Sequence, residues 1–269
     1  MNIYIRNPLY YSFDHNAKEY IELSGITGNA QREGLNKLVL MLKGQGTTNS
    51  TDIWVDSLCI HPYCPIDATT ATLDGFKLNL VDPQDTDAAH RLEYYNSPTP
   101  SMTGLTGNGT NAYADTNFIP STDATEDDFS FTQSSLGVST DSYTFGGRST
   151  LTKYQNFRRT GGNIDTYNGS VANRATVTAF DTVPWIATSN RTADNNLDAY
   201  NFGVLNNTDS GTSNSLSSQS LYILCSNNNG SAIGFTSSTT DFNCMNNSLS
   251  ANGIADLSEA IQAYNTAVR

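Results

Sequence analysis

The feature that most constrains this chain is how short its apolar runs are and how regularly polar turns cut them. Ala175 to Phe180 alternates apolar and polar residues, Pro184 to Arg191 follows after a turn at Asp181, and Leu197 to Val204 is joined to that run by the polar hairpin Thr192 to Asn196. A period of two puts every second side chain on one face of an extended strand, so each run reads as a half-buried strand. Asn, Ser, Thr and Gly dominate the connections, while 14 Tyr and 11 Phe supply most of the large apolar bulk. That combination suits short strands joined by turns. The expected class is all-β, a two-sheet antiparallel sandwich, and 269 residues is an ordinary length for one such domain.

Two helices are expected around these strands. From Asn29 to Lys43, Leu35, Leu38, Val39 and Leu42 recur at i, i+3, i+4 and i+7, with Asn29 as a cap and Gly44 and Gly46 as the stop. From Ile254 to Val268, Ile254, Leu257, Ile261, Tyr264 and Val268 share a second apolar face. Ile53 to Val55 and Leu58 to Ile60 read as a buried strand.

The stretch from Phe76 to Ser121 joins the helical and strand-rich parts. Phe76, Leu78 and Leu80 alternate with polar residues and read as a strand stopped by Asp82-Pro83; Arg91 to Tyr95 is a second run; Gly107 and Gly109 make a turn feeding a third, which ends at Ile119-Pro120. The strings DTDAAHRL (85–92) and GNGTNAYADTNFIPS (107–121) resemble a group of bacteriophage virion proteins built on a concanavalin A-like jelly roll, related to LamG and lectin domains. IADLSEAIQAYNTAVR (254–269) is similar to the helix that closes them, and Tyr200 and Gly203 match a strand of their meander. The resemblance implies a jelly-roll domain over residues 25–269, with a helix near each end. It also implies a virion protein assembled in the host bacterial cytoplasm and exposed on the particle, as a head decoration or fibre or a tail appendage. Its expected partners are other virion proteins of capsid, portal or tail, further copies of itself and host surface glycans.

Residues 1–24 are aromatic and mixed in pattern, and are assigned to an N-terminal docking segment or arm, with Tyr4, Tyr10, Tyr11 and Phe13 as assembly-docking candidates. A strand folded onto the body is the other reading of this segment. The net charge of −12 argues against a nucleic-acid footprint and discourages binding to anionic membranes. No apolar run is long enough to cross a bilayer, and the N-terminus lacks the pattern of a signal peptide. Asn-x-Ser/Thr triplets at Asn49, Asn108, Asn168, Asn190, Asn206, Asn229 and Asn246 are what so Asn-, Ser- and Thr-rich a chain yields by chance.

Candidate chemistry concentrates between Tyr143 and Tyr167, where Arg148, Lys153, Arg158 and Arg159 interleave with Tyr143, Phe145, Tyr154, Phe157 and Tyr167. Aromatic faces pack on sugar rings, and arginines read hydroxyls and acidic groups. Tyr143, Tyr154, Arg158, Arg159 and Tyr167 are therefore the candidate carbohydrate-binding residues. The competing reading sends the aromatics into the core and leaves the cations on the other face. Cys59, His61 and Cys64 have a metal-like spacing, but a closed zinc site needs a fourth ligand, and Cys225 and Cys244 lie far downstream. Bridges between Cys59 and Cys64 or Cys225 and Cys244 are geometric options; four free, partly buried thiols are expected in a reducing cytosol. Asp123, Glu126, Asp127 and Asp128 offer oxygen ligands for calcium but read as a solvated acidic loop. No cofactor or metal is expected.

Enzymatic signatures are sparse. Sandwich endoglucanases place paired carboxylates with a Glu-x-Asp-x-x-Glu strand, and the near match at Glu126 has Phe131 where the last Glu would stand. His15, His61 and His90 lack a nucleophile elbow, and the glycines from Gly104 to Gly109 lack the lysine of a phosphate-binding loop. The sequence thus reads as a non-enzyme, with a purely structural cement protein and a polysaccharide depolymerase as the other readings.

Overall fold

The computed structural model describes residues 12–137, 141–178, 184–213 and 215–269. Helices α1 (His15–Ser24) and α2 (Asn29–Leu42) come first, followed by the single turns α3 (Leu73–Phe76) and α4 (Pro120–Asp123), and α5 (Ala251–Val268) comes last. Asp14 caps α1 through the amide of Asn16, and Gly25 ends it at φ 74°. Ser250 caps α5 through the amide of Gly253. Gly28, not Asn29, is the N-cap of α2, so Asn29 is its first helical residue.

The strands of the N-terminal half are β1 (Ser57–His61), β2 (Glu93–Tyr95), β3 (Thr99–Ser101), β4 (Gly104–Thr106), β5 (Tyr113–Asp115) and β6 (Phe129–Ser135). A meander follows, with β7 (Tyr143–Thr150), β8 (Lys153–Thr160), β9 (Asn163–Gly169) and β10 (Arg174–Val177). Then come β11 (Trp185–Ala193), β12 (Asn196–Asn201), β13 (Val204–Asp209), β14 (Tyr222–Ile223), β15 (Ser226–Asn228), β16 (Ser231–Ile233) and β17 (Thr239–Asn246). They form two sheets. The first runs β13-β12-β11-β6-β17-β4-β3, with β1 beside the far half of β17; the second runs β10-β9-β8-β7-β14-β5-β2, with the β15–β16 hairpin attached to β7. Among the described residues every pairing is antiparallel except that of β15 with β7. The architecture is the expected two-sheet sandwich.

Phe129 and Phe131 of β6, Trp185 of β11 and Met245 of β17 face Phe145, Phe157, Ile164 and Val177 of the second sheet across one apolar core. Phe131 sits at its centre, 4.7 Å from the Phe157 ring and 5.7 Å from those of Phe129 and Phe145. Each such burial contributes about 1.5–3 kcal/mol. The outer face of the first sheet is also apolar: Ile60, Ile186, Tyr200, Phe242 and Cys244 pack beneath Leu35, Leu38, Leu42, Leu257, Ile261 and Tyr264 of α2 and α5. The molecule therefore has three layers, helices, first sheet and second sheet.

Several local expectations change. Phe76 to Leu80 is not a strand: Phe76 ends α3, and the segment beyond is held by Asn79, whose side chain accepts from the amides of Ile60 and Val81 and donates to the carbonyl of Ala89. These side-chain bonds, with single backbone bonds from Leu80 to Ile60 and from Leu92 to Lys77, stand in for a ladder. Trp54 to Asp56 is a 3-10 turn that leaves Val55 exposed, and extended structure begins only at Ser57. β14 is only two residues long, because Leu224 turns the chain at φ 72°. Residues 15–24, part of the segment assigned to an arm, form α1, with Ala17, Tyr20 and Ile21 buried in the helical layer. Phe13, a docking candidate, packs against that layer in its own chain, while Tyr4, Tyr10 and Tyr11 lie outside the described residues, as do residues 179 and 180 of the run after Ala175.

Candidate functional site

Helices α1, α2 and α5 pack on the first sheet, so they do not cover the outer face of the second. The meander β7–β10 decides what stands there. Strand alternation sends Phe145, Phe157, Ile164 and Val177 inward and the intervening residues outward. Pairing then aligns them: Tyr143 lies opposite Arg158, Arg148 opposite Tyr154, Asn156 opposite Tyr167, Arg158 opposite Asp165, and Tyr167 opposite Arg174. Three tyrosines and three arginines thus meet on one face around a single carboxylate.

The contacts are specific. The hydroxyl of Tyr154 donates to that of Tyr143 at 2.9 Å, and the rings of Tyr154 and Tyr167 meet edge to face at 4.9 Å. The Arg148 guanidinium stands 5.4 Å from the Tyr154 ring centre, and that of Arg158 stands 5.7 Å from the Tyr143 ring centre. Nε of Arg148 also donates to Oδ1 of Asn228 at 2.8 Å, which ties the β15–β16 hairpin to the site. Burial raises the pKa of Tyr154, with the bond to Tyr143 adding to it, and burial followed by the Asp165 charge raises that of Tyr167. Burial opposes the charge on Arg158, but the phenols of Tyr143 and Tyr167 outweigh it and raise its pKa. All three groups therefore keep their protons at neutral pH.

Charge on this face is one-sided. Asp165 accepts from Thr176 at 2.8 Å and pairs with Arg174 at 3.5 Å. Neither Arg148 nor Arg158 is in an ion pair with a carboxylate among the described residues. Tyr154 and Tyr167 are themselves buried, and guanidiniums stand over the rings of Tyr154 and Tyr143, so solvent meets guanidinium above phenol there rather than a bare ring.

Tyr143, Tyr154, Arg158 and Tyr167 are brought together as the sequence suggested. Arg159 is not: it is the neighbour of Arg158 in a strand, points to the opposite face, and is 6 % exposed. Asn156, Asp165 and Arg174 belong to the site and were missed; Asn156 is one strand repeat from Tyr154, but Asp165 and Arg174 enter only through the register of β9 with β8 and β10. Other candidates resolve structurally. Cys59 lies in the inter-sheet core beside His61, at 3.7 Å, whereas Cys64 lies in the helical layer against the carbonyl of Gln31. The spacing Cys59, His61, Cys64 therefore does not converge on a point. All four cysteines are free and buried. Glu126 accepts from the hydroxyl of Ser213 and the amide of Ser215, and Asp128 from Ser248, so both carboxylates tie down loops. Asn168, Asn190 and Asn246 of the glycosylation-like triplets are buried.

No family model and no curated protein matches the chain. Among solved structures it is similar to a Trypanosoma rangeli sialidase in complex with 2,3-difluorosialic acid, with 12 % identity and a TM-score of 0.54, over 90 % of this chain and 38 % of the sialidase. It is also similar to the binding domain of botulinum neurotoxin serotype D, with 10 % identity and a TM-score of 0.52, over 78 % of this chain and 53 % of that one. The chain thus spans well under two thirds of either. At these identities the likeness shows the fold alone, a two-sheet β-sandwich.

Proposed function

We propose that this chain is a non-catalytic, lectin-like sandwich that binds surface glycans, carried on a bacteriophage particle and displayed toward the host cell. The observation that carries the binding reading is the tyrosine and arginine cluster on the one broad sheet face that the helices leave open. Aromatic carbon and fixed guanidinium donors are what recognition of a polyhydroxylated ring requires. The setting on a particle is supported by the resemblance of residues 85–92, 107–121 and 254–269 to phage virion proteins. There the partners are other virion proteins and further copies of the chain, so that many weak sites act together. The sialidase complex and the toxin binding domain add the support of a shared fold.

The test is binding of the purified chain, as monomer and artificially multimerised, to an array of bacterial and animal surface glycans, with Tyr167→Ala beside it. Saturable binding that the variant loses supports the reading; no binding in either form removes it. A second reading, a cement protein between neighbouring subunits, is favoured by Val204 and Leu205, which stand 69 % and 52 % exposed on the edge strand β13.

A further inference from the structure

The open face carries more information than the presence of a sugar site. A neutral sugar binds by laying its apolar side on a bare aromatic ring, and the rings of Tyr154 and Tyr167 are not bare. Arg148 stands over Tyr154 and Arg158 over Tyr143, while the hydroxyls of those two tyrosines touch at 2.9 Å. The two guanidiniums therefore flank one shared phenol edge. The opposing charges are few and spoken for. Asp165, the carboxylate opposite Arg158, is held by Thr176 and Arg174, and Glu93 and Asp115 lie on β2 and β5, at the far side of β14. In a chain of net charge −12, two partly exposed arginines in one place, neither in an ion pair among the described residues, make a local cationic spot that attracts an anion.

Resting on the glycan-binding reading above, we infer that the ligand of this face is an acidic glycan, whose carboxylate or sulfate is held by Arg148 and Arg158 while its ring lies against the half-buried Tyr143. Guanidinium donors match either oxyanion in a planar, two-bond geometry that a lysine does not reproduce. Neutral glycans then bind weakly, because nothing displaces the arginines from the rings. Affinity for the acidic form falls with ionic strength, since the face is open and a Debye length of about 10 Å at 0.1 M salt spans the contact.

The experiment is calorimetric titration of the full chain with alginate, alginate whose carboxyls have been reduced, dextran sulfate and plain dextran, together with anionic vesicles and duplex DNA. Arg158→Gln, Arg158→Lys and, as an off-site control, Arg91→Gln accompany it, each checked for unchanged thermal unfolding. The expected result is binding to alginate or dextran sulfate. Reduced alginate and dextran should bind at least tenfold more weakly, Arg158→Gln should lose about 10- to 100-fold, the worth of one hydrogen-bonded charge pair, and Arg158→Lys should recover only part of that. Preference for alginate over dextran sulfate assigns a carboxylate, and the reverse a sulfate. Equal binding of acidic and neutral polymers, untouched by Arg158→Gln, overturns the acidic-ligand inference and leaves glycan binding standing. Binding only to vesicles or DNA, or to nothing, overturns both.

Discussion

Asp256 offers a sharp test of how the helical layer is locked to the body. It sits in the second turn of α5 and is buried. Its Oδ1 accepts from the amide and the side-chain nitrogen of Asn49, both at 2.9 Å, and its Oδ2 accepts from the amide of Thr51 at 2.8 Å. One carboxylate thus satisfies three donors of the loop after α2. Removing it in Asp256→Ala strands two backbone N–H groups, which at about 1–3 kcal/mol per unsatisfied donor, reduced by water entry, gives a loss of about 2–4 kcal/mol. That corresponds to a drop of about 5–15 °C in Tm for a chain of this size. Asp256→Asn keeps one acceptor but turns an NH2 toward a donor, for about 1–3 kcal/mol. Burial alone would raise the carboxyl's pKa, but the Thr51 and Asn49 donors outweigh it and lower it below its ordinary value of 3.8. A depressed folded pKa means the stabilisation is complete above the unfolded value of about 3.9 and disappears as pH falls through the lower folded value. Urea unfolding of wild type and Asp256→Asn at pH 7 and at about pH 2.5 should therefore show a gap that narrows in acid. A gap under about 0.5 kcal/mol at pH 7, or one that stays constant into acid, refutes the account.

Three further outcomes follow from particular contacts. Arg159→Gln should lower the urea midpoint by about 1–3 kcal/mol equivalent, because its side chain is buried on the inner face, and leave affinity for alginate unchanged; a loss of affinity equal to that of Arg158→Gln would contradict the assignment of faces. Gly203→Ala should destabilise by at least about 1 kcal/mol, since Gly203 adopts φ 79° and a Cβ there would stand 2.8 Å from Cα of Ala255 on α5; an unchanged denaturation midpoint would contradict it. Burial pushes the thiols of Cys64 and Cys244 up to about 12 and raises that of Cys59, so iodoacetamide at pH 8, which attacks through the thiolate, should modify the cysteines only after unfolding, as read by mass spectrometry. Rapid modification of the native chain would show that these thiols are reachable.

The sandwich was legible because its signal is local. In β11 and β12 alternation and a polar hairpin sit within one stretch, and in α2 and α5 four or five apolar positions recur at helical spacing, so each element announces itself without its neighbours. The failures share a different cause. Phe76 to Leu80 alternates as a strand should, yet the Asn79 side chain ties it to Ile60, Val81 and Ala89, and nothing in the run itself says that one amide side chain will stand in for a ladder. α1 was hidden because Tyr20 and Ile21 are too few to establish a period amid residues that otherwise read as an aromatic segment. At the site the same division holds. Arg158 and Arg159 could have been separated from sequence, since consecutive strand residues face opposite ways. Asp165 and Arg174 could not, because their place beside Arg158 and Tyr167 depends on the register across β8, β9 and β10.

The position of the site follows from a difference between the two sheets. Each has two faces, and the inner pair must be apolar to make the core. The outer face of the first sheet carries Ile60, Ile186, Phe242 and Cys244; left in water these would form an apolar patch of the kind that demands a cover, and α2 and α5 supply it from the same chain. The corresponding face of β7 to β10 carries Tyr143, Arg148, Arg158 and Arg174. A helix laid over it would have to bury the guanidiniums of Arg148 and Arg158, which are in no ion pair among the described residues, at a cost of several kcal/mol per unpaired charge. What keeps helices off this face is therefore its charge: its cations are stable in water and would lose that solvation under an apolar cover.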